Sequence, residues 1–120
     1  MKLGSPDGTF VLVEWQDPGE TSRERTIAPL HLHRDEDEAW YVLEGRLGFR
    51  LGSEEVEAGS GEGVLAPAGT PHSYWNAASG LTRYLLVMGP RTARMLEELH
   101  APGAADFAAI FERNGSELLA

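Results

Sequence analysis

The residues best suited to chemistry in this chain are its histidines, because there are only four of them among 120 residues. His31 and His33 are two positions apart, and alternate side chains of a β-strand share a face, so both imidazoles lie on one face together with Ile27. Two imidazoles that converge from one strand face can begin a divalent metal site. An exposed or hydrogen-bonded pair of strand histidines is the alternative, and the pair alone does not decide between the two.

Glu38 joins the two histidines only if the chain turns after His33. It lies five residues past His33, an odd offset that would point it to the opposite face of an uninterrupted strand. The polar residues 34–37 favour a turn that resets the register, after which Glu38 leads the next strand inward beside Trp40 and Val42. Taken alone, Glu38 is one more solvated acid in an acidic run.

A third histidine, His72, follows a segment rich in glycine and proline. Residues 61–71 predict a strand that ends at Ala66, a tight turn, and a return strand that begins with His72 pointing into the fold. Asn76 lies four residues after His72, so the two side chains share one face of the predicted strand. An ordinary hairpin whose histidine caps or packs is the alternative.

Short strands separated by turn signals make up the rest of the body. The apolar and alternating runs between these turns predict eight strands, at residues 9–15, 25–33, 38–43, 46–51, 54–57, 64–66, 72–76 and 81–88. Strands at this spacing predict an all-β sandwich or barrel, because a βαβ chain needs a helix between consecutive strands.

After Gly89-Pro90 the composition shifts to alanine, leucine and glutamate, which predicts a short helical tail at about residues 91–114. Pro102-Gly103 divides this tail into two segments. Each segment has an apolar stripe, formed by Met95, Leu96 and Leu99 in the first and by Phe107, Ile110 and Phe111 in the second. His100 lies where a helix C-terminus favours a histidine, so we assign it no ligand role.

Composition narrows the possible functions. The length suits one domain, with a barrel at about residues 9–88 followed by the tail. A net charge of −9 disfavours nucleic acids and anionic membrane surfaces as partners. The absence of cysteine excludes thiolate ligands and disulfides, and the first apolar run, at residues 10–13, is too short for a membrane helix. We therefore expect a cytoplasmic protein that does not bind membranes.

The predicted strands are apolar on both faces. In the strand that begins at Glu38, one face carries Trp40 and Val42 and the other carries Tyr41 and Leu43. An outer face of this kind needs a cover, which the tail helices or a second subunit can supply. We expect a homodimer, because a chain of this size has little else to bury that surface.

Two stretches of the chain resemble the two motifs of the cupin family. The first reads His31-x-His33-x4-Glu38-x6-Gly45, and the second reads Gly61-x5-Pro67-x-Gly69-x2-His72-x3-Asn76. The resemblance implies a jelly-roll barrel, the double-stranded β-helix, and it implies that His31, His33, Glu38 and His72 are the metal ligands. One position departs from the family pattern: Arg25 replaces the glycine that usually opens the first motif.

The implied ligand set defines the expected chemistry. Three imidazoles and one carboxylate suit one divalent ion of iron, manganese, nickel, copper or zinc, and they leave two positions of an octahedral shell for other ligands. Glu38 is also a candidate catalytic base. Trp40, Val42 and Tyr74 lie on the same strand faces as the implied ligands, so they are candidates to line a substrate pocket. The alternative for each of them is that it fills the barrel core.

Three functions stay open at this point. The leading hypothesis is a metal-dependent oxidoreductase, a dioxygenase, that acts on a small organic molecule, because the body and tail resemble small quercetinase-like cupins. A metal-dependent isomerase or lyase is the second hypothesis, and a non-catalytic binding or sensing module is the third. Fold and ligand set do not separate them.

Overall fold

A computed structural model of the chain describes residues 2–4 and 7–119. Within these residues the chain forms ten strands and two helices. The strands are β1 (Lys2–Gly4), β2 (Val11–Asp17), β3 (Ala28–His33), β4 (Glu38–Glu44), β5 (Arg46–Leu51), β6 (Glu54–Gly59), β7 (Gly63–Ala66), β8 (His72–Asn76), β9 (Thr82–Met88) and β10 (Ser116–Leu118). The helices are α1 (Pro90–Leu99) and α2 (Phe107–Arg113).

The strands form two antiparallel sheets of five strands each. One sheet has the order β1-β2-β9-β4-β7 and the other has the order β10-β3-β8-β5-β6. Alternate residues of each strand point inward, so Trp40 and Val42 of β4 meet Leu47 and Phe49 of β5 in one buried core. The architecture is the predicted all-β jelly-roll barrel with a short helical tail.

All eight predicted strands are present in the structure, each within a few residues of its predicted bounds. The structure adds β1 and β10, each of three residues and each at the edge of a sheet. Such short strands exist because a neighbouring strand supplies hydrogen-bonding partners, so neither has a pattern of its own in the sequence.

The predicted alternation changes in β3, the strand that carries two of the histidines. Ala28 pairs with Tyr74 and His31 pairs with His72, so β3 contains one residue more than β8 between these pairs. The irregularity lies between Ala28 and His31 and includes Pro29, which has no N–H to donate to the neighbouring strand and is therefore tolerated at a bulge. As a result Ala28, rather than Ile27, lies in register with the histidine face.

The helical tail lies against the side of the barrel between β2 and β3. Ala93 of α1 belongs to the barrel core, and Met95 packs with Ile110 and Phe111 of α2. The tail does not cover the outer face of β4, where Tyr41 is 45% exposed. No helix in the described ranges has the length and apolar character needed to cross a membrane.

Candidate metal centre

Four side chains meet inside the barrel. His31, His33, Glu38 and His72 each offer one ligand atom, and these four atoms all lie within 4.8 Å of one another. All four residues are buried, with exposed fractions of 4%, 3%, 5% and 1%. The structure therefore brings together the complete set of predicted ligands.

Both sheets contribute to this cluster. His31 and His33 are on β3, and His72 begins β8 directly opposite His31. Glu38 begins β4, which belongs to the facing sheet. An ion held by all four residues would therefore link the two sheets.

The turn at residues 34–37, between His33 and Glu38, is held by the turn that precedes His72. The Asp37 carboxylate accepts a hydrogen bond from the Ala68 amide at 2.8 Å. The Gly69 amide in turn donates to the His33 carbonyl at 2.6 Å. Because the two turns are bonded to each other, the register change that brings Glu38 inward is tied to the placement of His72.

Each imidazole has one partner at its Nδ1 atom. His31 Nδ1 lies 2.6 Å from the Pro29 carbonyl oxygen, and His72 Nδ1 lies 2.9 Å from that of Thr70. A carbonyl only accepts, so these two Nδ1 atoms carry hydrogen, and in a neutral ring the Nε2 lone pair is free for a cation. His33 Nδ1 lies 2.6 Å from the hydroxyl oxygen of Ser116 on β10.

Electrostatics at the centre of the cluster favour a cation. His33 Nε2 and His72 Nε2 lie 2.9 Å and 3.0 Å from one oxygen of Glu38. Burial raises the pKa of Glu38, but hydrogen bonds from His33 and His72 outweigh it and lower that pKa to about 2. Burial, followed by the charge of His72, lowers the pKa of His31 to about 4. At neutral pH the cluster therefore combines an anionic carboxylate with a neutral His31.

The donor set fits a divalent metal ion. When the Nδ1 atom of an imidazole donates to a carbonyl, the Nε2 atom of the neutral ring directs its lone pair at the Glu38 oxygen, which is unfavourable. If that Nε2 atom is protonated instead, the ring becomes a buried imidazolium. A divalent cation among the four donor atoms satisfies the lone pairs and the carboxylate together. Nitrogen and oxygen donors in this ratio suit iron, manganese, nickel, copper and zinc.

The structure places the predicted pocket residues in the barrel core. Trp40, Val42 and Tyr74 are all buried in the main hydrophobic cluster. The Trp40 ring borders the metal cluster, with its centroid 5.5 Å from that of His72. The role of these residues in a substrate pocket stays a prediction.

One residue of the helical tail and one residue of β10 border the site, and neither was among the predicted site residues. The Phe111 ring of α2 meets the edge of His31 at a centroid distance of 5.4 Å, and Ser116 of β10 bonds to His33. The apolar stripe in the tail indicated that Phe111 is buried, but it did not indicate that Phe111 packs against His31. Ser116 has no local signal, because its contact joins residues 83 positions apart.

Three other residues named in the sequence analysis, His100, Asn76 and Gly45, have structural roles away from the metal cluster. His100 ends α1, where its Nδ1 bonds to the Leu96 carbonyl at 2.7 Å, away from the metal cluster. Asn76 is buried at the other end of β8, and its amide donates to Asp17 and to the Gly80 carbonyl. Gly45 has a φ of +89°, and a Cβ there would lie 2.8 Å from the Thr82 Cα, so the first motif requires glycine at this position.

A jelly-roll barrel with three histidines and one glutamate converging in its interior defines a class, that of β-barrel proteins with a candidate metal centre. The family model described as the cupin domain matches residues 17–88 of the chain. This match covers more than half of the chain and includes all four residues of the cluster. The chain belongs to the cupin family.

Two curated proteins share sequence with this chain. Quercetin 2,3-dioxygenase of Bacillus subtilis (strain 168) is 48% identical over 46 residues, which are 38% of this chain and 14% of the dioxygenase. The HTH-type transcriptional regulator PuuR of Escherichia coli (strain K12) is 28% identical over 96 residues, which are 77% of this chain and 49% of PuuR. The chain thus spans less than half the length of either curated relative.

Solved structures share the fold. A Thermus thermophilus protein superposes with a TM-score of 0.60 at 28% identity, over 73% of this chain and 77% of that one. A sugar phosphate isomerase from the cupin superfamily, from Silicibacter pomeroyi, gives a TM-score of 0.56 at 25% identity, over 68% of this chain and 51% of that one.

Proposed function

We propose that this cupin binds one divalent metal ion through His31, His33, Glu38 and His72 and acts as an oxidoreductase, a dioxygenase, on a small organic molecule. The observation that carries the proposal is the buried cluster of four donor atoms within 4.8 Å of one another. The 46-residue match to a quercetin 2,3-dioxygenase supports the choice of reaction. A redox-active metal held by these four residues would supply the electron transfer that a reaction with dioxygen needs.

The protein's own residues have distinct parts in this proposal. The three histidines are held by their Nδ1 partners, which orients each ring before a metal arrives. Glu38 supplies the anionic charge of the site, and we propose that its carboxylate also accepts a proton from the substrate. The buried rings of Trp40 and Tyr74, together with Val42, exclude water from the cluster and form its inner wall.

Two other functions have some support. A redox-silent isomerase or lyase is favoured by the structural likeness to a sugar phosphate isomerase. A non-catalytic sensing module is favoured by the match to PuuR, a transcriptional regulator, over 77% of this chain. The three functions differ in whether turnover occurs and whether it consumes dioxygen.

The decisive experiment combines metal analysis with dioxygen uptake. Protein purified without added metal is analysed for iron, manganese, nickel, copper and zinc, and dioxygen consumption is then followed with chelating phenols of one or two rings. We expect about one equivalent of a redox-active metal and metal-dependent dioxygen uptake. The double variant His33→Ala, His72→Ala should lose both, whereas His100→Ala, a matched loss of a histidine outside the cluster, should retain the metal.

Other results of the same experiment would redirect the proposal. Zinc alone, with turnover that consumes no dioxygen, would replace the dioxygenase with an isomerase or lyase. Tight binding of a small molecule without turnover would favour the sensing module. Equal metal content in the double variant and in the unaltered protein would contradict the metal site itself.

We further propose that the protein is a homodimer that pairs through the outer face of the sheet containing β4. Cross-strand pairing aligns one outward residue from every strand of this sheet: Leu3, Leu12, Val87, Ala39 and Leu65. Leu3 and Leu65, at the two ends of the row, are each 54% exposed. An apolar row across a whole sheet face is typical of surfaces that bind another protein.

A further inference from the structure

A cavity of about 230 Å³ lies between β3 and the two tail helices, and we refer to it as the tail cavity. Its strand side includes Ala28 and His31, and its helix side includes Met95, Leu99 and Phe111. His31 therefore belongs both to the metal cluster and to the wall of this cavity. A molecule in the tail cavity would contact a residue of the metal site directly.

The walls of the tail cavity select for a neutral molecule. None of the described residues that line it carries a formal charge, and its only ionisable side chains are those of His31 and His100. The chain as a whole, in contrast, carries a net charge of −9. A second hollow, on the outer face of the β4 sheet, is lined by Asp35, Glu36 and Asp37. Placing a charged ligand in the tail cavity would cost desolvation energy without a partner of opposite charge.

The size of the tail cavity limits the ligand to one or two rings. An apolar cavity of roughly 150 Å³ holds a benzene molecule, and pockets for drug-sized ligands begin at roughly 300 Å³. At about 230 Å³ the tail cavity lies between these sizes. The rings of His31, Phe107 and Phe111 in its walls favour an aromatic ligand, because aromatic pairs gain energy beyond the burial of area.

His100 gives the tail cavity one polar contact. Its Nδ1 bonds to the Leu96 carbonyl at 2.7 Å, so Nδ1 is the donor and Nε2 of the neutral ring is an acceptor. The residue is exposed, which places it at the rim of the cavity. A ligand with one N–H or O–H group can donate to His100 while its ring lies against His31 and Phe111.

We propose that the tail cavity binds a neutral aromatic molecule of one or two rings with a single hydrogen-bond donor, and that this is the substrate class of the metal centre. The proposal rests on the proposed function, since it takes the metal cluster as the reacting site. It goes further because it assigns the substrate to a cavity that the tail helices build and not to the barrel core. It also predicts that charged analogues of the same size bind poorly.

Indole is a suitable probe, because it is neutral, has two fused rings and carries one N–H group. Binding is followed by NMR on protein with ¹³C-labelled methionine methyl groups, since Met95 lines the tail cavity. We expect saturable shifts of the Met95 signal with indole, and at least tenfold weaker binding of indole-3-acetate, which is charged, than of indole-3-acetamide, a neutral compound of the same size. Equal binding of the acetate and the acetamide, or no saturable shift with indole, would overturn the proposal.

Two variants that fill the cavity from opposite sides test the location. Leu99→Phe acts from α1 and Ala28→Leu acts from β3, so one variant remains informative if the other does not fold. Each folded variant should bind indole at least tenfold more weakly. The control Leu65→Phe adds the same bulk on the outer sheet face and should bind indole as the unaltered protein does. Unchanged indole binding in a folded cavity variant would contradict the assignment.

Cobalt(II) gives a readout of the metal centre that does not depend on activity. Its visible absorption in the protein should change when indole is added, because the ligand contacts His31. If indole shifts Met95 but leaves the cobalt spectrum unchanged, the cavity is not the substrate site of the metal centre. A cobalt spectrum that is lost in His72→Ala supports the metal site independently, so a failed indole test would leave the proposed function standing.

Discussion

At the scale of single residues, the three imidazoles of the metal cluster are oriented in two different ways. Backbone carbonyls hold His31 and His72, but a side chain, that of Ser116, holds His33. Ser116 is fully buried, and its hydroxyl is 2.6 Å from His33 Nδ1. A partner of this kind fixes the direction of the ring, and its loss typically weakens metal binding by about 10–100-fold.

We therefore predict that Ser116→Ala lowers metal affinity by about 10–100-fold while the barrel remains folded. The physical reason is that His33 loses its Nδ1 partner but keeps its place on β3. Isothermal titration with zinc or cobalt measures the affinity, and circular dichroism checks the fold. Ser53→Ala, in an exposed turn, is the matched control and should bind metal normally. Equal affinity in both variants would rule out an orienting role for Ser116.

The sequence was sufficient to predict the four proposed ligands only with the resemblance to the cupin motifs, because local rules left another reading open for each residue. Alternation within β3 pairs His31 with His33, and the polar turn after His33 explains how Glu38 faces inward. Ser116 and Phe111 could not be assigned to the site in this way. Their contacts depend on how the tail folds back onto β3, which no local pattern in the sequence encodes.

A buried pair of tyrosines gives a second prediction at the residue scale. The hydroxyl groups of Tyr74 and Tyr84 lie 2.9 Å apart in the barrel core. Burial raises the pKa of Tyr74 well above its ordinary value, and burial also raises the pKa of Tyr84. Above about pH 10 the unfolded chain releases these two protons while the folded chain keeps them. The free energy of unfolding should then fall by about 1.4 kcal/mol per pH unit for each tyrosine.

Urea unfolding at several pH values between about 10 and 11.5 measures this dependence. In Tyr84→Phe, one proton no longer contributes, so the slope of unfolding free energy against pH should be shallower by about 1.4 kcal/mol per pH unit. Below pH 10 both proteins should show no dependence that comes from these groups. A slope that is unchanged in Tyr84→Phe would show that the pair ionises within the folded protein.

At the scale of elements, the start of α1 is stabilised from outside the helix. Its N-cap, Gly89, has no side chain to accept a hydrogen bond. Glu36, in the turn between His33 and Glu38, accepts instead from the amides of Arg91 and Thr92, at 3.1 Å and 2.8 Å. A carboxylate at a helix N-terminus satisfies free N–H groups and interacts favourably with the helix dipole.

We predict that Glu36→Ala destabilises the protein by roughly 1 kcal/mol, the usual cost of losing a helix cap, and lowers the melting temperature by about 3–6 °C. Amide hydrogen exchange in the first turn of α1 should become faster. Asp35→Ala is the matched control, because Asp35 pairs with Arg91 only at the exposed surface, where ion pairs contribute little. Equal effects of the two substitutions would show that Glu36 acts only through its charge.

How far the elements could be predicted depends on where their stability originates. The strands of the body and the two helices have their own apolar periodicity, so their positions were predicted correctly. In β1 and β10 the stability comes from pairing with β2 and β3, and in β3 the bulge between Ala28 and His31 depends on its pairing with β8. These features depend on contacts between two elements, so the sequence of a single element carries no periodic signal for them.

At the scale of the whole molecule, two forces act on the proposed dimer. The row from Leu3 to Leu65 crosses all five strands of one sheet, and a two-fold axis would stack this row on its own copy. Against this, two chains that each carry a net charge of −9 repel one another. Association is therefore expected to depend on burial of the apolar row and to be opposed by charge.

This balance predicts how the dimer responds to salt and to mutation. Screening weakens the repulsion, so raising the salt concentration from about 0.02 M to 0.5 M should tighten the dimer, the opposite of an interface held by ion pairs. Sedimentation equilibrium should give twice the chain mass of 13.1 kDa, and the double variant Leu12→Glu, Leu65→Glu should give the mass of one chain. Leu119→Glu, at an exposed leucine beyond β10 on the other sheet, is the control and should remain dimeric. A monomer at every salt concentration, or a dimer that persists in the double variant, would contradict pairing through this face.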